Sequence, residues 1–144
     1  MTKAILDTDI LSEVMRAKNS RVAWNATEYL KEHNHFTLSA MTVSEMIMGW
    51  HKIQDEKRTN ALLDFFKLHE ILPIGLQEAT VAGKILGDLE HLGISIGPID
   101  PFIAGTAIVS QLPLVSGNIR HFTRIVDLGY PLQLQNWREV IPNG

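Results

Sequence analysis

Asp7, Glu45, Asp100 and Asn118 are distant in the chain but share one local context. Asp7 ends the apolar run Ala4-Ile5-Leu6. Glu45 falls early in a helical pattern that follows His35-Phe36-Thr37-Leu38. Asp100 opens a helical pattern ahead of Leu112-Pro113-Leu114-Val115-Ser116, and Asn118 directly follows that run. In a parallel sheet the C-terminal strand ends and the helix N-termini lie on one rim, so these four side chains can converge. Carboxylate oxygens without cysteine or histidine partners suit hard cations such as Mg²⁺ or Mn²⁺. Such an ion acidifies a bound water and neutralises charge that builds on a phosphodiester. Asn118 and the Ser116 hydroxyl are placed to position that water or a phosphate oxygen, and Thr8 to donate to a metal ligand or phosphate. Asp9 stands beside the site as a charge-tuning or capping residue. Arg120 and Arg124 are candidates for phosphate contacts.

Each position also has a purely structural reading. Asp100 before Pro101 has the form of a helix N-cap. Thr42-Val43-Ser44-Glu45 matches a capping box. Asp7, Asp9 and Asn118 are ordinary turn residues. The argument for a site is their joint placement at strand ends.

The elements that must position them follow from periodicity. Residues 2–6 form a first strand, and Thr8 or Asp9 caps a helix to about Arg16. Asn19-Ser20 opens a second helix. His35–Leu38 is a second strand, and Ser39 caps a third helix through Val43, Met46, Ile47 and Trp50. A fourth helix starts near Asp55. Ile71-Leu72-Pro73-Ile74 is a third strand, at a sheet edge because Pro73 has no N–H to donate. Residues 76–92 are a helix that Gly93 ends. Residues 112–116 are a fourth strand, Phe122 to Ile125 a short helix or turn, and Leu132–Leu134 a last strand. Strands alternating with helices predict an α/β fold with a mainly parallel sheet covered on both faces.

With 144 residues, the chain is expected to be one domain over residues 1–144. Hydrophobic residues make up 45% and charged residues 20%, as in globular proteins, and no run is long enough to span a membrane. There is no cysteine, which removes disulfides, thiolate nucleophiles and cysteine-based zinc sites, and fits a cytoplasmic setting. The net charge of −3 argues against holding nucleic acid on a broad basic surface. It leaves room for an enzyme that meets phosphate through a bound cation and a few local basic residues.

At these residues the chain resembles the PIN-domain family, and within it the VapC-type toxins of toxin–antitoxin pairs. The segments that carry the resemblance are Ile5-Leu6-Asp7-Thr8-Asp9-Ile10-Leu11, Thr42-Val43-Ser44-Glu45-Met46 with Gly49, Gly97-Pro98-Ile99-Asp100-Pro101-Phe102-Ile103-Ala104-Gly105-Thr106-Ala107, and Leu114-Val115-Ser116-Gly117-Asn118-Ile119-Arg120-His121-Phe122. They occur in the family's order, and the third is the most specific.

The resemblance implies a three-layer α/β/α sandwich around a five-stranded parallel sheet, and Mg²⁺-dependent cleavage of single-stranded RNA, with Mn²⁺ as a substitute. It makes Asp7, Glu45 and Asp100 metal ligands and Asn118 a fourth catalytic position. Where the family often carries a further acid, this chain has Asn118 and His121; the imidazole suits Mn²⁺ better than Mg²⁺. The resemblance also implies a homodimer and a VapB-like antitoxin lying over the helices of residues 8–16 and 40–53, with an arginine reaching the carboxylates. Two alternatives remain from the residues. Asp7-Thr8-Asp9 after a strand looks like the opening of an aspartate-nucleophile phosphatase of the haloacid dehalogenase type, although Leu11 stands where that family expects Thr or Val. A PIN-like module that binds RNA or protein without catalysis is the other.

Overall fold

The computed structural model describes residues 1–139. The expected domain of residues 1–144 therefore takes in a last stretch, 140–144, that lies outside the described residues. In chain order the elements are β1 (Ile5–Leu6), α1 (Thr8–Arg16), α2 (Ser20–His33), β2 (Thr37–Ser39), α3 (Ala40–His51), α4 (Glu56–Phe66) and β3 (Glu70–Leu72). They continue with α5 (Leu76–His91), α6 (Asp100–Ser110), β4 (Leu114–Val115), α7 (Ile119–Asp127) and β5 (Leu134–Gln135). The strands form one sheet of order β3-β2-β1-β4-β5, and every pairing is parallel. The second, third and last strands start one to two residues away from the runs that the apolar pattern marks. The edge position expected of the third strand is observed.

Alternation along the short strands feeds two cores. Leu6, Leu38 and Val115 face the layer of α1 to α4, where they meet Ile10, Leu11, Val22, Tyr29, Phe66 and Trp137. Ile5 and Leu114 face the other layer and meet Ile85, Ile103, Phe122 and Ile125 from α5, α6 and α7. The register pairs Ile5 with Leu114 and Leu6 with Val115, so neighbouring strands send matched residues to the same face. A parallel sheet buried on both faces needs continuous apolar strands, and this is why Ala4-Ile5-Leu6 carries no polar residue before Asp7. Among the described residues no helix is long and apolar enough to cross a membrane.

The chain leaves β1 toward β2 and β3 on one side and returns to β4 and β5 on the other. The strand order thus reverses between β1 and β4, and the crevice at such a reversal is where open α/β sheets bind ligands. Asp7 follows β1 and Ser116 to Asn118 follow β4, so both border that crevice.

The helix delivering Asp100 is set by a close approach. A Cβ added at Gly105 would lie 3.0 Å from the Glu78 carbonyl oxygen and 3.3 Å from the Ala82 nitrogen, both backbone atoms of α5. Backbone cannot rotate away as a side-chain tip can. Gly105→Ala is therefore expected to cost about 1–3 kcal/mol as an overpacking change and to shift α6 against α5. Urea unfolding of the variant checks this; unchanged stability would overturn it.

Candidate active site

The cleft at the strand reversal is an open cavity of about 460 Å³ lined by Asp7, Thr8, Asp9, Glu45, Asp100, Gly117, Asn118 and Arg138. Six of these are positions singled out from the sequence; Gly117 and Arg138 are new.

Asp7 sits at the bottom and is only 4% exposed. It is the N-cap residue of α1, in place of the Thr8 or Asp9 expected, and its Oδ1 accepts from the Thr8 N–H at 2.8 Å. Its Oδ2 accepts from the Ser116 hydroxyl at 2.8 Å, and Ser116 Oγ in turn accepts from the Asn118 N–H at 2.9 Å. Ser116 is fully buried, so its reach is to Asp7 and not to the open cleft. Burial, followed by the nearby Asp9 charge, pushes the Asp7 carboxyl up to about 7, against the opposing pull of the Ser116 and Thr8 hydrogen bonds.

Glu45 does not complete a capping box. The N-cap of α3 is Ser39, whose side chain accepts from the Met41 N–H, and Glu45 lies in the helix body. Its Oε1 accepts from the Thr8 hydroxyl at 2.7 Å, while Thr8 Oγ1 stands 3.0 Å from the Thr42 hydroxyl. The Thr42 side chain is thus part of the support of Glu45.

Asp100 is not a cap either. The N-cap of α6 is Ile99, with no side-chain cap hydrogen bond, because the helix begins one residue earlier than the Asp-Pro signal indicates. The carboxylate left free by that shift meets His121, whose Nδ1 is 3.1 Å from Asp100 Oδ2 and 2.8 Å from Asn118 Nδ2. One ring nitrogen cannot donate to the carboxylate and accept from the amide at once. A proton on Nδ1 satisfies Asp100 and calls for the amide oxygen of Asn118 to face the ring.

Asp9 ties its own helix to the turn after β4: Oδ1 accepts from Ile10 N–H at 2.7 Å and Oδ2 from Gly117 N–H at 3.0 Å, across the crevice. Its outward partner is Arg138, 3.7 Å away. Arg120 lies on an exposed part of α7, outside the residues that line the cleft.

Arg138 and Glu13 have no motif to announce them. Arg138 Nε donates to Glu13 Oε1 at 2.7 Å and its Nη2 pairs with the same carboxylate. The only signal in the sequence is the adjacency of Arg138 to Trp137, an apolar anchor near the chain end. The packing of Trp137 against Tyr29, ring centroids 5.7 Å apart, is what brings Arg138 to the rim.

A family model for the PIN domain matches residues 4–128. The chain belongs to the PIN-domain family. Of its relatives, the Ribonuclease VapC of Rickettsia bellii is 31% identical over 128 residues, covering 86% of this chain and 91% of that one. The tRNA(fMet)-specific endonuclease VapC of Shigella flexneri is 30% identical over 126 residues, covering 87% and 93%. The solved structure of VapBC-1 from nontypeable Haemophilus influenzae superposes with a TM-score of 0.79 at 26% identity, over 96% of this chain and all of the other. The α/β/α sandwich with a parallel five-stranded sheet is thus a PIN fold, and family membership sets aside the dehalogenase-type phosphatase.

The donor set of this PIN-domain cleft fits a hard divalent cation: its carboxylates are Asp7, Asp9, Glu45 and Asp100, with no thiol near. Among the described residues no three acidic or imidazole groups stand together as a finished metal cage. Each carboxylate has a local donor instead, so a cation competes with Thr8 for Glu45 and with His121 for Asp100.

Proposed function

We propose that this chain is a metal-dependent ribonuclease of the VapC type, in which Asp7, Glu45 and Asp100 hold a Mg²⁺ ion (Mn²⁺ substituting) and Asn118 is the fourth catalytic position. Its substrate is single-stranded RNA. A VapB-like antitoxin neutralises it, and it works in the cytoplasm as a homodimer.

The observation that carries the reading is Asp7. A carboxyl group pushed up to about 7 by burial, facing a cleft that holds three more acids, is an unfavourable arrangement unless a cation compensates it. When bound, the ion supplies a Lewis acid for a phosphate oxygen and an acidified water. The chain's own residues prepare that chemistry. Ser116 and the Thr8 N–H fix both oxygens of Asp7; the Thr8 hydroxyl orients Glu45; His121 orients Asp100. Asn118 brings an amide that can orient a water without adding charge.

For the antitoxin, support comes from a groove of about 540 Å³ along α3, lined by Ala40, Val43, Ser44, Ile47, Met48, His51 and Lys52. Met48 is 55% exposed there, and adaptable apolar side chains of this kind suit a partner segment. The groove starts at the N-terminus of α3, the helix that also carries Glu45, so an occupant can extend toward the cleft.

Purified protein incubated with tRNA(fMet) and with unstructured RNA tests the reading. Cleavage is expected in Mg²⁺, none in EDTA, recovery on adding Mg²⁺ back, and inhibition by a VapB-like antitoxin. RNA bound but never cut would favour the non-catalytic module, and cutting indifferent to EDTA would overturn the metal roles.

A further inference from the structure

We propose that Arg138 is a phosphate-binding residue of the cleft, holding an RNA phosphate beside the one that reacts. This rests on the ribonuclease reading above and adds a residue that the motifs do not contain.

Arg138 is the one cationic side chain among the described residues that line the cleft, against the four carboxylates of Asp7, Asp9, Glu45 and Asp100. A bound cation offsets repulsion at the reacting phosphate only. The next phosphate along the strand meets the same acids and needs a donor of its own.

The guanidinium is pre-positioned to be that donor. Nε and Nη2 are spent on Glu13, and Nη2 also approaches Asp9, whereas Nη1 has no hydrogen-bond partner among the described residues. Lysine could not divide its contacts in this way, because a planar fork is needed to grip one carboxylate and leave a further N–H edge open. The side chain is 35% exposed, and Nη1 lies over Gly117: a Cβ there would be 1.7 Å from it. Glycine at 117 is thus what leaves room for the guanidinium at this place in the cleft.

The support beneath is rigid. Trp137 is fully buried, its carbonyl accepts from Asn25 Nδ2 at 3.1 Å, and the Arg138 N–H donates to Asn136 Oδ1 at 3.0 Å. Little side-chain freedom is left to lose when a phosphate arrives.

The test is the affinity for a short single-stranded RNA as a function of salt, with Ca²⁺ in place of Mg²⁺ and strand integrity checked on a gel. Losing one phosphate contact lowers the slope of log affinity against log salt by about 0.7 for single strands. Arg138→Ala is expected to weaken binding about tenfold and to show that drop in slope; Arg138→Lys, whose single ammonium is taken up by Glu13, is expected to restore neither fully. Gly117→Ala keeps the arginine but displaces Nη1, and is expected to weaken binding as well. Lys84→Ala, on the exposed face of α5, serves as the control. Arg138→Ala with wild-type affinity and slope overturns the proposal and leaves the ribonuclease reading standing. A lower melting temperature without a change in slope shows Arg138 to be only a structural tie to Glu13, and also overturns it. Wild-type protein that binds no RNA overturns both.

Discussion

Asp7→Asn is expected to abolish metal-dependent RNA cleavage, by at least about a hundredfold on the scale of lost electrostatic groups in active sites, and at the same time to make the cation-free protein more stable at pH 8. The two effects have one origin. Burial pushes the folded-state pKa of Asp7 up to about 7, from an ordinary value of 3.8. The folded protein therefore holds a proton that the unfolded chain has already released, and stability falls as pH rises from about 4 to about 7, then stays at its reduced level. At about 1.4 kcal/mol per pKa unit the cost of the ionised carboxylate is on the order of 4 kcal/mol. Asparagine removes the charge, keeps the volume, and its carbonyl still accepts from the Thr8 N–H that now binds Oδ1. Melting curves at pH 8 in EDTA should place the variant about 10–15 °C above wild type, and the gap should close by pH 4. A variant that melts lower than wild type at pH 8, or that still cuts RNA, would remove Asp7 from the role assigned to it.

Cation binding should carry the same proton. A carboxyl group must be deprotonated to hold Mg²⁺ or Mn²⁺. With Asp7 titrating at about 7, the apparent affinity for Mn²⁺ is expected to rise about tenfold per pH unit between pH 5 and 7 and to level off above. Titration calorimetry in buffers of different ionisation enthalpy should find close to one proton released per ion at pH 6 and almost none at pH 8. Stripping Mn²⁺ with EDTA should lower the melting temperature of wild type and leave Asp7→Asn nearly unchanged, since a ligand that binds only the folded state stabilises it. Affinity flat across this range would mean that Asp7 is not the group the cation meets.

Much of the fold was legible because local signals agreed. Asn19 before Ser20, Ser39 before Ala40 and Asp55 before Glu56 are capping residues, and each does cap by accepting from a backbone N–H two or three residues on. Gly93 follows α5 with φ +69°, the left-handed conformation that favours glycine. Strand limits were less legible. Strands of two or three residues are bounded by where a neighbour supplies hydrogen bonds, and the apolar run continues past that limit.

The site divides along the same line. The acids at strand ends could be read from the order of strands and helices, because a parallel sheet sends those ends to one rim. Whether Asp100 and Glu45 were caps or free carboxylates could not. An Asp-Pro pair and a Thr-x-x-Glu segment look alike in both cases, and only the true helix starts at Asp100 and Ala40 distinguish them. The link from Thr8 to Glu45 spans 37 residues, and the link from Ser116 to Asp7 spans 109. Arg138 pairs with Glu13 across 125 residues. The sequence by itself determined the layered α/β architecture, the acidic rim and the kind of ion it suits, since these depend on periodicity, on strand-to-helix order and on the absence of cysteine. Only the tertiary structure decided which donor each carboxylate takes, how far burial drives Asp7 toward neutrality, and that an arginine from the far end of the chain stands among the acids. Those outcomes depend on burial and on distances between side chains far apart in the sequence, which no local pattern encodes.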